Sequence, residues 1–303
     1  MSLEKFYNKH KDNKFINLID AMTYRFIYHR VTTLASSSVY YFVLSIFPFL
    51  IAFVNIAAKI NLHKYFSVPE IFNTLPVEIQ SIFTDFISNI EATSTTSLLI
   101  ISILLGLWPA SRGIISLVIN INVAYSVTKR RNYFKASIIS IFLTLAMIVL
   151  IVFLTMFTVF GQRLETLIYT YVNEYDAIRI FFEAVNSIFF PLVYMAVVFF
   201  LLYYLAPNLD NKKTVPIKLF LPGTVFSTLF VILASLLFSY YANNLSSYSV
   251  TYGSLASMAI FLVWLFLMNT IILLGGELNA YFYSKYYDLN LEHSYFETLI
   301  KGK

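Results

Sequence analysis

The feature that most constrains this chain is a stretch of 58 residues, Leu219 to Gly276, that contains no charged side chain. A soluble domain needs charged residues on its surface, and such residues are almost never fully buried without a partner. Polar residues between Tyr240 and Ser254 divide the stretch into two apolar parts, each long enough to cross a bilayer. The stretch therefore predicts a membrane protein.

The composition agrees with a membrane setting and excludes several kinds of chemistry. Of the 303 residues, 59% are hydrophobic and 12% are charged, whereas soluble domains carry about a quarter charged residues. The chain has no cysteine, so disulfides, thiolate nucleophiles and cysteine-bound metals are excluded. A long polar and basic segment precedes the first apolar run near Leu34, and we therefore expect no cleavable signal peptide.

Six apolar stretches reach the length of about 20 residues that a transmembrane helix needs. They cover residues 34–58, 97–128, 136–162, 180–207, 219–241 and 255–281. Tyrosines gather near the ends of these stretches, as in the aromatic belts of membrane proteins. The pattern predicts an all-α integral membrane protein that is a bundle of six transmembrane helices.

The distribution of lysine and arginine predicts the orientation of the bundle. Sixteen of these residues fall in the N-terminal segment, in the loops after spans 2 and 4, and in the C-terminal tail, against four in the opposite loops. We therefore expect both termini in the cytoplasm and the chain in the cell (inner) membrane. The chain divides into a basic N-terminal segment (1–33), the transmembrane domain (34–283) and a cytoplasmic tail (284–303). The net charge of +5 then reflects topology and contact with anionic lipid, and no nucleic-acid partner is expected.

Two amphipathic segments lie outside the predicted spans. The apolar face of the first consists of Phe15, Ile19, Met22 and Phe26. Arg25, His29 and Arg30 lie among its polar residues, so we expect this helix in the cytoplasmic interface. The second, at residues 79–90 of the first outer loop, predicts a helix that either packs on the outer surface or covers an outward opening.

Arg112 lies about fifteen residues into span 2, at a depth where a charge is costly unless it is paired or faces a cavity. Ser116 and Asn120 follow it on the same helical face, and Pro109 just before it can free backbone carbonyls. Two interpretations stay open. Arg112 contacts an anionic headgroup or solute in an internal cavity, or it forms an interhelical ion pair that orders the bundle.

Glu277 is a candidate counter-ion for Arg112, and it follows Gly275 and Gly276 and precedes Asn279. The helical rise places it about 10 Å nearer the cytoplasm than Arg112, so a direct pair would need tilt, a broken helix or a bridging water. Glu277 could instead reach cytoplasmic water. The two glycines favour close helix packing over a hinge.

Span 1 carries a polar stripe at helical spacing that contains Ser37, Tyr41, Ser45 and Pro48. Pro48 removes a backbone hydrogen bond and should bend the helix. Small hydroxyl residues often hold helices together, so packing is one interpretation of the stripe and the lining of a pathway is the other.

Ordered blocks of sequence resemble those of the YihY/BrkB membrane proteins. The blocks are Tyr40–Pro48, Trp108–Gly113, Asn120–Tyr125, Tyr203–Pro207, Pro222–Gly223, Tyr252–Leu255, Trp264 and Gly275–Ala280. The resemblance implies a six-span inner-membrane protein, and we interpret Gly253 with the other signature glycines as a helix-break or packing position. The family carries the labels "ribonuclease BN" and "virulence factor", which supply no mechanism, and the resemblance favours transport of lipid-like molecules.

The residues themselves argue against an enzyme. The four histidines, His10, His29, His63 and His293, are scattered, and no metal-spaced pair, phosphate-binding glycine loop or nucleophile motif occurs. We expect no cofactor and no metal. The leading hypothesis is a transporter or translocator of an anionic amphiphile or small solute, and the alternative is a scaffold that binds envelope partners. The oligomeric state, including a homo-oligomer, stays open.

Within the transport hypothesis each candidate residue has a role. Arg112 contacts the anion, and Glu277 serves as counter-charge or proton site. The remaining candidates line the pathway: Tyr41, Ser45, Asn120 and Asn279.

Overall fold

The computed structural model describes residues 13–59, 95–127, 137–146, 189–209, 214–243 and 254–289, together with isolated positions 80, 84, 85, 149, 294, 295 and 298. All regular structure in these ranges is helical, and no strand occurs in them. The predicted all-α class is therefore confirmed for this part of the chain. The outer-loop amphipathic helix, Gly253, most of span 3 and the first part of span 4 lie outside the described residues.

Six long helices make up the described structure. They are α1 (Lys14–Tyr28), α2 (Val31–Lys59), α3 (Thr96–Ala124), α4 (Phe190–Leu205), α5 (Leu221–Asn243) and α6 (Ser254–Tyr286). A turn of 3₁₀ helix, Ile217–Phe220, leads into α5, and a further helical stretch covers Ser137–Ala146.

The described helices include two that are long and apolar enough to cross a membrane, at Ile217–Tyr241 and Met258–Tyr286. These stretches correspond to predicted spans 5 and 6. Shorter apolar helices occur at Ser111–Ala124, Ser137–Ala146 and Pro191–Leu205, inside predicted spans 2, 3 and 4. The count of six spans stays a prediction.

α1 begins and ends at recognisable local signals. The Asn13 side chain accepts a hydrogen bond from the backbone N–H of Phe15 at 3.0 Å, which caps the first turn. At the other end Arg30 has a positive φ of 50°, a conformation that few non-glycine residues adopt. This left-handed residue turns the chain, and α2 begins immediately after it at Val31.

The proline residues lie inside their helices. Pro48 falls within α2 and Pro109 within α3, and each helix continues through its proline. A single proline removes only one backbone hydrogen bond, and neighbouring helices in a membrane bundle can support the freed carbonyl. The two residues are therefore positions within continuous helices rather than helix ends.

The helices pack in two main pairs. α2 lies along α3 and α5 lies along α6, and α6 also contacts α2, α3 and α1. The shared core contains Val118 and Ile121 of α3, Tyr203 of α4 and Phe220, all at most 1% exposed. Large apolar side chains such as those of Leu105, Leu229 and Leu237 point outwards, as expected where lipid replaces water.

Candidate functional site

Ionisable side chains from the two ends of the chain meet in one buried place, which we call the charge cluster: Arg25 of α1, His29 directly after α1, and Glu277 of α6. The Nη1 atom of Arg25 donates to Oε2 of Glu277 at 3.1 Å. The Nδ1 atom of His29 lies 2.7 Å from Oε1 of the same carboxylate. When the carboxylate is ionised it can only accept, so Nδ1 is then the donor in this contact. Both oxygens of Glu277 are thus engaged by α1.

The charge cluster is well removed from solvent. Glu277 is 2% exposed and Arg25 is 4% exposed. A buried charge is strongly unfavourable unless it is paired and hydrogen-bonded, and here each charge has its partner within hydrogen-bonding distance. The arrangement therefore tolerates two buried charges only while α1 and α6 stay together.

The charge cluster also includes the end of α3. Nη1 of Arg25 donates a second hydrogen bond, 2.9 Å long, to the carbonyl oxygen of Ala124, the last residue of α3. The last carbonyls of a helix lack partners within the helix and form the negative end of its dipole, so a guanidinium fits there. The next residue, Tyr125, packs edge-on against Tyr283 of α6, with ring centroids 5.4 Å apart. One arginine thereby joins α1, α3 and α6.

The charge cluster differs from the sequence prediction in two respects. Arg25 and His29 were expected among the polar residues of an interfacial helix, whereas Arg25 is buried and His29 is only partly exposed. Glu277 was considered as a counter-ion for Arg112, whereas its two oxygens bind Arg25 and His29. The i, i+4 spacing of Arg25 and His29 on one face of α1 is the sequence signal that could have indicated a shared partner.

Arg112 lies in a different part of the bundle. It is half-buried on α3, between Ser111 and Gly113, which are both buried. Ala124 lies twelve positions further along α3, which corresponds to about 18 Å along the helix axis. α2 comes close to α3 at this level, because a Cβ atom on Gly113 would lie 3.0 Å from the ring of Phe42. Arg112 and the charge cluster are thus separate charged places.

Asn120 lies one helical turn after Ser116 on α3, and it holds α2 and α3 together. Its Nδ2 atom donates to the carbonyl oxygen of Leu34 at 2.9 Å. It also lies 3.4 Å from the hydroxyl oxygens of Ser37 and Ser38. Ser38 in turn donates to the hydroxyl oxygen of Ser116 at 2.9 Å. Asn120 is 6% exposed, and its amide is used for helix contact.

Asn122, two residues further along α3, is a structural residue to which the sequence reasoning gave no role of its own. Its Nδ2 donates to the carbonyl oxygen of Ala206 at 2.8 Å, and its Oδ1 accepts from the backbone N–H of Asn208 at 2.7 Å. Both partners belong to the segment that follows α4. Asn122 therefore fixes the span 4–5 junction, which satisfies backbone groups that have no helical partner.

α5 and α6 approach each other closely at a place we call the glycine crossing, formed by Gly223 and Gly275. A Cβ atom on Gly223 would overlap the carbonyl oxygen of Gly275. A Cβ atom on Gly275 would overlap the hydroxyl oxygens of Ser227 and Tyr203. Only glycine therefore fits at these two positions. Gly276 has more room, with Ile121 as its nearest neighbour at 3.3 Å.

Polar side chains complete the glycine crossing. The Tyr203 hydroxyl donates to the carbonyl oxygen of Ile272 at 2.6 Å and lies 2.5 Å from the hydroxyl of Ser227. Oδ1 of Asn279 accepts from the backbone N–H of Gly223 at 2.6 Å. That N–H belongs to the first turn of α5, where helix donors lack internal partners. Asn279 is fully buried and caps α5 from the neighbouring helix.

The remaining candidates lie on α2. Ser45 is 7% exposed and donates to the carbonyl oxygen of Phe42 in its own helix at 2.9 Å. Tyr41 is half-buried and packs edge-on against Tyr40, with ring centroids 5.4 Å apart. Among the residues that the structure describes, no group of three or more His, Asp or Glu side chains could hold a metal ion.

The described helices, two of them long and apolar enough to cross a bilayer, have the character expected of a helical membrane protein. The family model described as "Virulence factor BrkB" matches residues 22–294, and the chain belongs to this family. The ribonuclease-like protein YfkH of Bacillus subtilis is 32% identical over 256 residues, which are 84% of this chain and 91% of that protein.

Shorter matches connect the chain to the UPF0761 membrane proteins. One from Photobacterium profundum is 38% identical over 104 residues, which are 32% of this chain and 31% of that protein. One from Acinetobacter baylyi is 37% identical over 81 residues, which are 27% of this chain and 18% of that protein. No solved structure matches the chain. The predicted family and the membrane setting are confirmed.

Proposed function

We propose that this protein moves an anionic amphiphile or a small anionic solute across the membrane. The observation that carries the proposal is the half-buried position of Arg112 in the middle of α3, about 18 Å from the end of that helix. Ionisable residues inside a membrane bundle are costly and usually mark the path of a substrate or ion. A guanidinium at this depth is suited to bind a phosphate or carboxylate, because it offers several donors in a fixed plane.

In this proposal the charge cluster closes the bundle on the predicted cytoplasmic side. Glu277 provides the counter-charge for Arg25, and His29 contacts the second oxygen of the same carboxylate. Opening this end would require the separation of α1 from α6 and the solvation of all three side chains. The energetic cost of that step keeps the closed state populated in the absence of substrate.

The other candidates act in this proposal by their position. Tyr41 and Ser45 lie on α2, which packs along the helix that carries Arg112. Asn120 and Asn279 hold helix pairs together, and we assign them the task of fixing the shape of the pathway. A loss of either amide would then act on transport through the packing of the helices rather than through substrate contact.

Reconstituted vesicles provide the test. The purified protein is placed in vesicles that contain fluorescent phosphatidylglycerol, and movement between leaflets is followed by chemical quenching of the outer leaflet. Replacing Arg112→Gln should lower the rate roughly 10-fold or more, because a hydrogen bond to a charged group is lost. Arg112→Lys keeps the charge and should retain part of the rate. Lys218→Gln, an exposed cation over the ring of Tyr286, is the matched control and should have no effect.

Two results would contradict this function. The first is an unchanged rate in the Arg112→Gln vesicles. The second is a wild-type rate equal to that of protein-free vesicles, both for the lipid and for a small anion such as iodide. The first result would remove Arg112 from the proposed mechanism, and the second would leave the folded protein in the membrane without the proposed activity.

A scaffold without transport activity is the second candidate, and one observation favours it. Asn120, Asn122, Tyr203 and Asn279 are all engaged in contacts between helices or with a connecting segment, which is what a static bundle requires. A truncation after Leu289 keeps the whole of α6, which ends at Tyr286, and removes residues 290–303 of the tail. A scaffold that works through the tail should lose its partner in such a variant, whereas a translocator should keep its rate.

A further inference from the structure

Several large apolar side chains of the N-terminal helix α1 point outwards, although Phe26 packs against the core, and two of its charged side chains point inwards. Phe15, Ile19 and Ile27 are 68%, 51% and 51% exposed, whereas Asp20 and Arg25 are 5% and 4% exposed. An amphipathic helix on the surface of a water-soluble protein shows the opposite arrangement, with its apolar face buried. This reversed arrangement of apolar and charged side chains indicates that the medium outside α1 is itself apolar.

We propose that α1 is a latch anchored in the anionic leaflet of the membrane. Its outward face inserts at the boundary between headgroups and acyl chains, and its inward Arg25 and His29 hold Glu277 of α6 and the end of α3. The latch does not depend on transport, because a scaffold could use the same attachment.

The charges at the two ends of α1 favour an anionic lipid surface as the partner. Lys14 is the first residue of the helix and Arg30 follows its last turn, and both are exposed. Cations that flank an exposed apolar face match the headgroups of anionic lipids. A second copy of the chain, packed with the same face in a two-fold contact, would bring these cations close to their own copies.

The connection to α2 keeps α1 at the membrane boundary. Only His29 and Arg30 separate the end of α1 from the start of α2. Arg30 adopts the left-handed conformation that reverses the chain, and Val31 is buried at 1% exposure. α1 is therefore fixed beside the end of a helix in the bundle, where the interface of the bilayer lies.

The two faces of α1 make it a link between lipid and protein. Insertion of the outward face determines where α1 lies, and the inward face passes that position to α3 and α6 through one arginine and one histidine. A latch of this kind makes the packing of the bundle end depend on the composition of the leaflet.

The first experiment uses the absence of cysteine from the chain, which allows a single label. Ile19→Cys is labelled with a polarity-sensitive fluorophore in the full-length protein, in vesicles of phosphatidylcholine with or without phosphatidylglycerol and with spin-labelled quencher lipids. We expect strong quenching with phosphatidylglycerol and loss of most of it without that lipid. Asp288→Cys, an exposed polar position after α6, is the control and should be quenched weakly.

Two outcomes of the labelling experiment overturn the proposal. Quenching no stronger at Ile19→Cys than at Asp288→Cys would place α1 in water. Protection of the label without quenching by lipid, together with cross-links between two Ile19→Cys chains, would assign the face to a second copy.

The second experiment tests the latch itself by hydrogen exchange in the anionic vesicles. Arg25→Gln should raise the exchange rates of backbone amides in α1 by roughly 100-fold, because Glu277 is left buried without its cation. Lys218→Gln, an exposed cation that lies outside α1, should leave them unchanged. Equal effects of the two substitutions would overturn the latch. His29→Gln removes one hydrogen bond from Glu277 while keeping the Arg25 pair, and it provides the same comparison should Arg25→Gln fail to fold.

Discussion

Gly275 and Glu277 lie only two residues apart on α6, and they hold the helix bundle together by different physical means. Gly275 faces α4 and α5, where the absence of a side chain lets the hydroxyl groups of Ser227 and Tyr203 approach the backbone. Glu277 faces α1, where a buried carboxylate binds two basic side chains. The glycine crossing depends on shape, and the charge cluster depends on electrostatic compensation.

This difference indicates which of the two contacts can be released and which cannot. Separating the glycine crossing would open a gap between two apolar helices and leave polar atoms without partners, with nothing in lipid to replace them. Separating the charge cluster also costs energy, but water and ions at the end of the bundle can solvate the released groups. We therefore expect the charge cluster to be the part that moves and the glycine crossing to be the fixed part.

The largest effect is expected from breaking the charge cluster on one side. Glu277→Gln leaves Arg25 buried beside a neutral amide, which should lower the free energy of unfolding by about 3–5 kcal/mol. The measurement is thermal denaturation of the detergent-solubilised protein followed by size-exclusion chromatography. Asp288→Asn, an exposed carboxylate just after α6, is the matched control and should have little effect.

A double-mutant cycle sharpens that prediction. Combining Glu277→Gln with Arg25→Gln removes both charges, so the double variant should be more stable than the sum of the two single losses implies. Additive losses would show that the pair contributes nothing beyond its separate members, contrary to the geometry of the charge cluster.

An intermediate effect is expected at the glycine crossing. Gly275→Ala places a Cβ atom where the hydroxyl oxygens of Ser227 and Tyr203 now lie, and overpacking of this kind costs about 1–3 kcal/mol. Gly276→Ala is the control, because its Cβ atom would meet only the side chain of Ile121 at 3.3 Å and the more distant ring of Tyr203. The same thermal measurement should show a larger loss of stability for Gly275→Ala than for Gly276→Ala. Equal losses would contradict the close packing proposed for the glycine crossing.

The smallest effect is expected from a single hydroxyl at the glycine crossing. Tyr203→Phe removes the hydrogen bonds to Ile272 and Ser227, and such interhelical bonds contribute about 0.6 kcal/mol on average in membrane proteins. Tyr286→Phe, at an exposed tyrosine, is the control. If Tyr203→Phe destabilised the protein as much as Gly275→Ala, hydrogen bonding rather than shape would hold the crossing.

The helices themselves could be predicted from the sequence because apolar runs have to be helical in lipid. The sequence places span 1 at 34–58 and α2 occupies Val31–Lys59, and it places span 6 at 255–281 where α6 occupies Ser254–Tyr286. The ends differ by a few residues, since a helix continues beyond the apolar part wherever its last turns can be capped or solvated. The all-helical class followed from the same requirement.

The charge cluster could not be predicted from the sequence, because its residues are far apart along the chain. Glu277 is 252 residues from Arg25 and 248 from His29. A pattern within one helix carries no information about a partner at that distance. The count of lysine and arginine residues that predicts the topology includes Arg25 as a surface charge. The sequence predicts different depths for Arg112 and Glu277, which is why it left their pairing open.

The membrane setting follows from the amino-acid sequence alone, because 58 consecutive residues without a charge cannot form the surface of a soluble fold. The helical class follows as well, since backbone groups in lipid have to bond within their own segment. Which polar groups meet depends on the tertiary structure. Arg25 faces Glu277 because α1 folds back against α6, and Gly275 touches Ser227 because α5 crosses there. Such contacts depend on how whole helices pack, and local periodicity does not specify that packing.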